Sequence, residues 1–382
     1  MSDWTDRAAA LADELVEKGK LRSREWIAAV RAVPRHALVP FFYEQDLTGE
    51  WLRRDGTDPV YHDRVYANRA LFTLIGEETG SWGSAVVGLS STSTPGLMTR
   101  MLEALDIRDG HDVLEIGTGT GYNAALLTHR LGGGHVFSVD IERDLVDSAR
   151  DRLAALGYRP TLVAADGAHG LPEHAPYDRI IATCSVPTVP WAWVEQTRVG
   201  GLILTDLKLS IHAGNLVRLR RGPDRAEGRF DPTWAGFMPL RPGTPKDDHT
   251  LPVRDRNRAA RRTTDLDQLR PWDNLVAWFL TQLSMPTEIG YGHILDERTG
   301  RPGDVFLTSS DGSWCEVGEH TGQVWEAGPT PLWAAVENAH RRWHELDEPG
   351  WGRFGLTVTR DRQWVWLDAP DNDHAWPLRT QP

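Results

Sequence analysis

The sequence predicts an α/β protein whose larger part is an open, mostly parallel sheet with flanking helices, followed by a smaller α+β unit rich in tryptophan. Two observations predict the sheet. Apolar, strand-like runs alternate with helical patterns over residues 112–206, and a glycine-rich turn leads from the first strand into a helix. The third observation concerns the second unit: ten of the 17 tryptophans lie after residue 242, so the C-terminal part differs in composition from the rest.

Length and composition are those of a globular protein with more than one core. At 382 residues the chain exceeds the usual size of a single core, and its 25% charged and 40% hydrophobic residues are typical of soluble domains. The formal net charge of −12 argues against a general nucleic-acid binder, which would carry a basic face. The sequence has no apolar run of membrane-spanning length and no secretory signal, so we expect a cytoplasmic protein with no membrane partner.

The cysteines and histidines predict neither a disulfide nor a metal site. Cys184 and Cys315 are far apart in the sequence, which fits a reducing compartment. None of the 14 histidines stands at zinc-type spacing from a cysteine or an acidic residue. We therefore expect no bound metal.

We expect a first domain over residues 1–242, a linker over 243–271 and a C-terminal domain over 272–382. Residues 1–90 form a cover, in which two amphipathic helices precede a stretch without a clear period that predicts loop with short strands. The linker is rich in proline and charge, and its clustered arginines predict either a solvated arm or a patch for an acidic peptide. The tryptophans of the C-terminal domain predict either core packing or a surface that recognises a peptide.

Hydrophobic periodicity places the elements in order along the chain. In the first domain it predicts a helix after Pro95, strands over 112–116, 135–139, 160–164, 178–183 and 201–206, and helices over 121–131 and 142–156. In the C-terminal domain it predicts helices over 272–284 and 330–346, strands over 304–309, 313–318 and 323–327, and a hairpin of 354–360 with 363–368. In such a parallel sheet a ligand lies beyond the carboxyl ends of the strands.

The glycine-rich turn predicts a cofactor site. Gly117, Gly119 and Gly121 follow the strand at alternate positions, where glycine permits positive φ and lets a ligand approach the main chain. Asp140 ends the next apolar run, and its carboxylate can accept both hydroxyl groups of a ribose. Glu115 stands just before the turn, where an acidic residue suits a cation better than a phosphate. S-adenosylmethionine carries an ammonium and a sulfonium group, so the turn looks like that of a methyltransferase.

Two further stretches reach the same edge of the sheet. The Asp166-Gly167 pair follows the third strand, and its carboxylate can accept the amine of adenine or simply close a turn. Five successive hydroxyl side chains, from Ser90 to Thr94, precede Pro95 at the start of a helix. Such a run is usual at a helix cap but exceeds what capping requires. It therefore predicts either a cap or a contact with the substrate or cofactor.

Residues 8–242 resemble the protein-L-isoaspartate O-methyltransferases. The resemblance rests on Val33-Pro34-Arg35-His36, on the cofactor motif from Leu114 to Tyr122, on the run from Pro172 to Ile181, and on Phe237-Met238-Pro239-Leu240. It implies a Rossmann-like fold and S-adenosylmethionine as cofactor, with S-adenosylhomocysteine as product. The residues expected at the cofactor are Glu115, Gly117, Thr118, Gly119, Gly121, Asp140, Ile141, Asp166 and Gly167.

The departures from this family concern the substrate. The family has a Gln-Thr-Ile-Ser-Ala-Pro type of loop where this chain has residues 90–95, and a threonine where it has Arg241. The repair enzymes are expected to end near residue 242, whereas this chain continues for some 140 residues. A hydroxyl-rich loop with such an extension resembles the branch found with lanthipeptides, lasso peptides and graspetides.

That branch implies methylation of an aspartate in a ribosomal precursor peptide, after which the ester closes to an aspartimide. We predict that Ser93 holds the acceptor carboxylate with help from Thr92 and Thr94, and that Ser91 and Arg241 contact the substrate. Repair of isoaspartyl residues in damaged proteins is the alternative function. A catalytically silent peptide-binding protein is a third class, against which the intact cofactor motif argues.

Overall fold

The computed structural model describes residues 4–46, 48–80, 83–241, 252–267, 269–287, 289–295 and 301–379. Its helices are α1 (Trp4–Glu17), α2 (Arg24–Ala32), α3 (Arg35–Leu38), α4 (Tyr61–Val65), α5 (Pro95–Ala104), α6 (Tyr122–Leu131), α7 (Arg143–Ala155), α8 (Trp191–Glu195), α9 (Leu275–Ser284) and α10 (Leu332–Glu345). Its strands as far as residue 230 are β1 (Phe41–Gln45), β2 (Trp51–Asp55), β3 (Leu71–Gly80), β4 (Gly83–Thr92), β5 (Val113–Ile116), β6 (Val136–Asp140), β7 (Thr161–Ala164), β8 (Tyr177–Val186), β9 (Thr197–Ser210), β10 (Ala213–Arg221) and β11 (Ala226–Phe230). The later strands are β12 (Ala260–Thr263), β13 (Ile289–Leu295), β14 (Pro302–Ser309), β15 (Trp314–Val317), β16 (Gln323–Ala327), β17 (Phe354–Val358), β18 (Gln363–Leu367) and β19 (Ala375–Pro377).

The main sheet has the strand order β19-β18-β17-β11-β10-β9-β8-β5-β6-β7. Its strands β7, β6, β5, β8 and β9 pair in parallel, and the remaining strands are added in antiparallel fashion. The chain runs outward from β5 through β6 to β7 and then returns to the other side of β5 with β8. This reversal opens a crevice at the carboxyl end of β5. The predicted α/β class is confirmed.

Helices cover both faces of the main sheet. Side chains of α1, α2, α5, α6 and α7 form the core on one face, and α9 contributes to the core on the other. The short strand β5 is buried on both faces, since Val113 belongs to the first core and Leu114 to the second. Burial on both faces explains why this strand has a continuous apolar run rather than an alternating one.

Residues 41–92 form a separate four-stranded antiparallel sheet with the order β2-β1-β3-β4. The sequence predicts loop with short strands here, whereas β3 and β4 are ten residues long each and join β1 and β2 in one sheet. Its small core includes Phe42, Tyr61 and Leu71, whereas Phe72 and Val86 are exposed. Because apolar side chains lie on both faces, the strands lack the polar-apolar alternation that identifies a half-buried strand. Strand β4 ends at Thr92 and leads into the hydroxyl-rich run.

The chain beyond residue 242 contributes to two sheets. Strands β12-β16-β15-β14-β13 form a five-stranded antiparallel sheet that packs with α9 and α10. Strands β17, β18 and β19 instead extend the main sheet, because β17 pairs with β11. Gly355 of β17 permits this contact, since a Cβ there would lie 2.6 Å from the carbonyl oxygen of Gly228 on β11. One sheet thus spans the boundary predicted at residue 242, and the division into domains stays a prediction.

Part of the predicted linker belongs to this second sheet. Residues 243–251 lie outside the described residues, but residues 260–263 form β12 and pair with β16. Its arginines are engaged within the protein: Arg256 pairs with Glu316 at 2.5 Å, and Arg262 pairs with Glu337 at 2.7 Å. Arg258 is the most exposed of them, with a side chain 88% exposed, and it lies 3.6 Å from Asp255. These ion pairs favour a structural role for the arginines over a patch for an acidic peptide.

Across the described parts of the chain, none of the helices has the length and apolar character needed to cross a membrane. The same residues contain no group of three or more histidine, cysteine, aspartate or glutamate side chains placed to hold a metal ion.

Candidate active site

A cavity of about 280 Å³ lies at the carboxyl ends of β5, β6 and β8, where the sequence places the ligand. A smaller cavity of about 30 Å³ adjoins it beside β5. The predicted site residues that line the larger cavity are Ser91, Ser93, Thr94, Gly117, Gly119, Asp140, Ile141, Gly167 and Arg241. The smaller cavity adds Thr92, Glu115 and Thr118.

The glycine turn forms the floor of the larger cavity in a conformation that favours glycine. Gly117, Gly119 and Gly121 have φ values of 99°, 50° and 84°. A Cβ on Gly117 would lie 2.6 Å from the hydroxyl oxygen of Thr183, which itself donates to the Gly117 carbonyl oxygen at 2.9 Å. A Cβ on Gly121 would lie 3.2 Å from Leu153 of α7. Gly117 therefore keeps the cavity open, whereas Gly121 allows α6 to pack on α7.

Asp140 is fixed at the edge of the cavity by main-chain donors. The amide of Gly119 donates to its Oδ2 at 2.9 Å, and the amide of Glu142 donates to its Oδ1 at 3.1 Å. Each carboxylate oxygen can accept more than one hydrogen bond, so both oxygens keep capacity for the hydroxyls of a ribose. The position and orientation of Asp140 thus fit the predicted ribose contact.

Glu115 is fully buried at the smaller cavity. Asn123 Nδ2 donates to its Oε1 at 2.7 Å, and the Ser138 hydroxyl donates to its Oε2 at 2.6 Å. Burial raises the pKa of Glu115 to about 7, although these two hydrogen bonds favour the ionised form. The carboxylate lacks a cationic partner among the described residues, and an external cation would complete the site.

Asn123 supplies a second indication that a cation binds here. Its Oδ1 is buried and has no hydrogen-bond partner among the described residues. A buried acceptor without a donor costs about 1–3 kcal/mol. The ammonium group of S-adenosylmethionine would satisfy this oxygen and the charge of Glu115 together, so the residues present fit the predicted cofactor. Sequence reasoning missed Asn123 and Ser138, whose contacts depend on how α6 and β6 meet β5.

The hydroxyl-rich run forms one wall of the cavity. Thr94 precedes α5, but no side-chain hydrogen bond from Thr94 caps that helix, and Pro95 occupies its first position. Ser93 and Thr94 line the larger cavity, and Thr92 is buried against the smaller one. These residues therefore line the cavities, and the side chain of Thr94 does not cap the helix.

Arg35 supports this wall through a hydrogen bond to the main chain of Ser93. Sequence reasoning missed it as a site residue. Its guanidinium is fully buried and donates to four carbonyl oxygens, those of Val65 (2.6 Å), Ala67, Arg69 and Ser93 (each 3.2 Å). Burial lowers the pKa of Arg35 to about 10. The resemblance includes this arginine in a motif, but its target lies 58 positions away and no periodicity reveals it.

The opposite wall consists of residues 236–241, which are held by buried groups at the ends of β8 and β9. Asp206 Oδ2 accepts from the amide of Phe237 at 2.8 Å, and the amide of Leu240 donates to the carbonyl oxygen of Ser185 at 2.8 Å. Residues 237–240, which resemble the closing strand of the family, form a single parallel bridge here, between Ser185 and Pro239. Arg241 extends this wall and pairs with Glu142 at 2.6 Å.

Asp166 has a local partner in the structure. Its Oδ1 accepts from the amide of Ala168 at 2.9 Å, which closes the turn, and it lines neither cavity. Gly167 does line the larger cavity, and its carbonyl oxygen accepts from the indole of the buried Trp193 at 2.8 Å. The turn reading of Asp166 therefore describes the observed contacts, and its role at adenine stays a prediction.

Comparisons with known proteins agree with this site. The family model described as Protein-L-isoaspartate(D-aspartate) O-methyltransferase (PCMT) matches residues 60–226. A protein-L-isoaspartate O-methyltransferase of Ignicoccus hospitalis is 42% identical over 205 residues, covering 53% of this chain and 82% of the relative. One of Methylorubrum extorquens is 35% identical over 243 residues, covering 62% of this chain and 90% of the relative.

A solved structure titled protein-L-isoaspartate O-methyltransferase has a similar fold. It aligns over 95% of this chain and 100% of its own, with a TM-score of 0.53 and 19% sequence identity. The alignment extends well past residue 242. At 19% identity this likeness shows that the two chains share a fold, including part of the chain beyond residue 242.

Proposed function

Because this chain belongs to the protein-L-isoaspartate O-methyltransferase family, whose members are S-adenosylmethionine-dependent carboxyl methyltransferases, we propose that it methylates an aspartyl side chain in a ribosomally made precursor peptide. The ester then closes to an aspartimide when the following amide nitrogen attacks it and methanol leaves. The observation that carries this proposal is that the hydroxyl-bearing residues Ser91, Ser93 and Thr94 line the same cavity as Gly117 and Gly119 of the glycine turn.

The cofactor supplies an electrophilic methyl group when it is bound. On the protein side, Asp140 would accept the ribose hydroxyls, and Glu115 with Asn123 would accept the ammonium group. Gly117 and Gly119 allow the bound molecule to lie against the main chain. These contacts fix where the methyl group points, and alignment of the reacting atoms is a large part of what such a reaction requires.

The acceptor side needs no general base. A side-chain carboxyl with a pKa near ~4 is already ionised at neutral pH. Ser93 and Thr94 would hold one carboxylate oxygen by hydroxyl donation and leave the other free to attack. Hydroxyl donors orient the carboxylate without the strong charge pairing of an arginine, which would reduce its nucleophilicity.

Two departures from the family support a precursor peptide as the substrate. The loop before Pro95 carries Ser90 and Ser91 in place of the Gln-Thr type of sequence, and Arg241 stands in place of a threonine. Both positions line the cavity at which an acceptor would enter. The resemblance of this loop to that of the peptide-modifying branch adds to the proposal.

Repair of isoaspartyl residues is the second candidate. The names of the relatives in Ignicoccus hospitalis and Methylorubrum extorquens favour it, as does the solved structure of that name that aligns beyond residue 242. Under this alternative the acceptor is the α-carboxylate of an isoaspartyl residue, and Ser93 would hold it in the same way.

Mass spectrometry on two substrates tests the proposal. The purified protein with S-adenosylmethionine is given a generic isoaspartyl peptide and, separately, the precursor peptide encoded beside its gene. The expected result is a methyl ester on the precursor alone, followed by a product lighter than the precursor by one water. Turnover of the isoaspartyl peptide alone would establish repair instead. A protein that binds the cofactor in calorimetry yet methylates neither peptide would contradict both candidates.

A further inference from the structure

Exposed aromatic side chains lie beside the cavity at two places. Phe72 lines the cavity and is 39% exposed. Trp234 is 38% exposed and lies beside Gly236, which also lines the cavity; a Cβ on Gly236 would approach the Trp234 ring to 3.3 Å. Single exposed apolar side chains are common on proteins, but contiguous apolar patches beside a cavity indicate binding surfaces, and each of these two side chains belongs to one.

The first of these surfaces, which we call the hairpin surface, consists of Trp51, Phe72 and Val86. The rings of Trp51 and Phe72 meet edge to face at 5.3 Å between centroids. The indole of Trp51 donates to the carbonyl oxygen of Val86 at 3.0 Å, and the Val86 side chain is 42% exposed. Gly88 permits this packing, since a Cβ there would overlap the Phe72 ring at 2.1 Å. The side chains of the hairpin surface thus pack against one another and form a continuous apolar patch.

The second, the aromatic surface, consists of Trp234, His212, Tyr291 and Trp272. The ring centroids follow one another at 6.0, 6.2 and 4.2 Å, and the Tyr291 hydroxyl lies 2.5 Å from Nδ1 of His212. Beside them Ile211 is 65% exposed at the turn between β9 and β10. This surface connects the cavity wall to β13 in the C-terminal sheet, where Trp272 and Tyr291 also pack against the core.

We propose that the hairpin surface and the aromatic surface bind the two segments of the polypeptide substrate that flank the acceptor residue. The acceptor carboxylate would enter the cavity between Phe72 and Gly236. The residues on one side of the acceptor would then lie on the hairpin surface, and those on the other side on the aromatic surface. Continuity with the cavity favours this occupant, because Phe72 and Gly236 line the same cavity as Ser93, which would hold the acceptor carboxylate. Tryptophan and tyrosine are also the side chains that dominate binding at peptide surfaces.

This inference rests on a polypeptide acceptor, as both candidate functions require, and not on the choice between them. A set of peptides with the same acceptor residue but different lengths tests it. One peptide carries a single capped residue on each side of the acceptor, and the other carries about six on each side. The acceptor residue that the protein methylates, aspartyl or isoaspartyl, is used for the whole set. The test therefore still applies if the proposed methylation of a precursor peptide proves wrong.

Trp234→Ala is the main variant, and Trp364→Ala on β18, at the far end of the main sheet, is its matched control. We expect Trp234→Ala to raise KM for the long peptide about tenfold or more, as at other aromatic binding residues. KM for the short peptide and Kd for the cofactor would stay unchanged. Ile211→Glu offers a second variant at an exposed position, where folding is not at risk, and should act in the same direction.

Three results would overturn the proposal. One is an unchanged KM for the long peptide in both variants. Another is an equal rise in KM for the short and the long peptide, which would place the effect in the cavity. The third is a wild-type dimer that Ile211→Glu converts to a monomer in light scattering without any change in KM, which would make the surface an interface between copies of this chain.

Discussion

Nη2 of Arg35 donates a hydrogen bond of 3.2 Å to the main-chain carbonyl oxygen of Ser93, the residue predicted to hold the acceptor carboxylate. The same guanidinium binds three carbonyl oxygens of the segment from Val65 to Arg69 and faces the ring of Tyr122 at 5.4 Å. No carboxylate pairs with Arg35 among the described residues. Its fixed planar set of donors is therefore used to join the hydroxyl-rich wall to α3 and to the start of α6.

Replacing Arg35 should weaken catalysis but leave cofactor binding intact, because Arg35 holds the main chain at Ser93. In Arg35→Lys a single ammonium group cannot reach four carbonyl oxygens, so several buried acceptors lose their donor, at about 1–3 kcal/mol each. We expect a lower unfolding temperature and a kcat reduced at least tenfold, while Kd for S-adenosylmethionine stays within about twofold. Calorimetry measures the unfolding temperature and Kd for the cofactor, and initial rates measure kcat. A parallel loss of cofactor affinity would contradict this division of roles.

Ser93→Ala should reduce methyl transfer without loosening cofactor binding. The variant removes a hydroxyl donor to a charged acceptor, which is worth about 1.5–3 kcal/mol and corresponds to a kcat/KM lower by about 10- to 100-fold. Ser284→Ala, on α9 away from the cavity, is the matched control and should retain full activity. If Ser93→Ala keeps wild-type kcat/KM while Thr94→Val loses it, the acceptor is held by the neighbouring hydroxyl instead.

Most of the residues predicted at the cofactor come together around the two cavities, because the signals that pointed to them are local. The strand, the glycine turn and Asp140 lie within one βα unit and its next strand, where spacing determines which groups meet. The helices α6, α7, α9 and α10 begin and end within a few residues of their predicted bounds for the same reason. Glu115 is recognisable because an acidic residue interrupts an apolar run.

The acceptor side depends on contacts between distant segments, and these have no local signal. Arg35 reaches Ser93, Asp206 reaches Phe237, and β17 joins β11 although more than 120 residues separate them. The sheet of β1 to β4 escapes prediction because Phe72 and Val86 place apolar groups on its solvent face. If the hairpin surface binds peptide, these exposed side chains are the functional reason that the strand pattern fails there.

Glu115→Gln should stabilise the protein at alkaline pH when no cofactor is present. Burial raises the pKa of Glu115 from 4.5 to about 7, so this group contributes stability that is fully present below pH 4.5 and is lost as the pH rises through 7. The loss amounts to about 3 kcal/mol, and a glutamine does not incur it. We expect the variant to exceed the wild type in unfolding free energy at pH 8 but not at pH 4.5, by chemical denaturation.

The same substitution should abolish the dependence of cofactor affinity on the ionisation of Glu115. In the wild type, binding of an ammonium group favours the ionised carboxylate, so affinity should weaken as the pH falls from 8 to 6 and protons should be released on binding. The variant should bind weakly at both values. A variant with wild-type affinity would exclude Glu115 as the group that accepts the ammonium.

Arg241 and Glu142 should have opposite effects on substrate binding. Their ion pair of 2.6 Å lies at the cavity, where Arg241 can attract a negatively charged substrate and Glu142 neutralises part of the arginine's charge. Arg241→Thr, which restores the family's residue, should raise KM for the precursor by about three- to tenfold, because partly exposed ion pairs contribute about 1 kcal/mol. Glu142→Gln frees the guanidinium and should lower KM by a smaller factor. Steady-state kinetics at low and high salt measure both, and the difference between the variants should shrink at high salt because screening weakens the attraction. Identical KM values for the two variants at low salt would show that Arg241 does not contact the substrate.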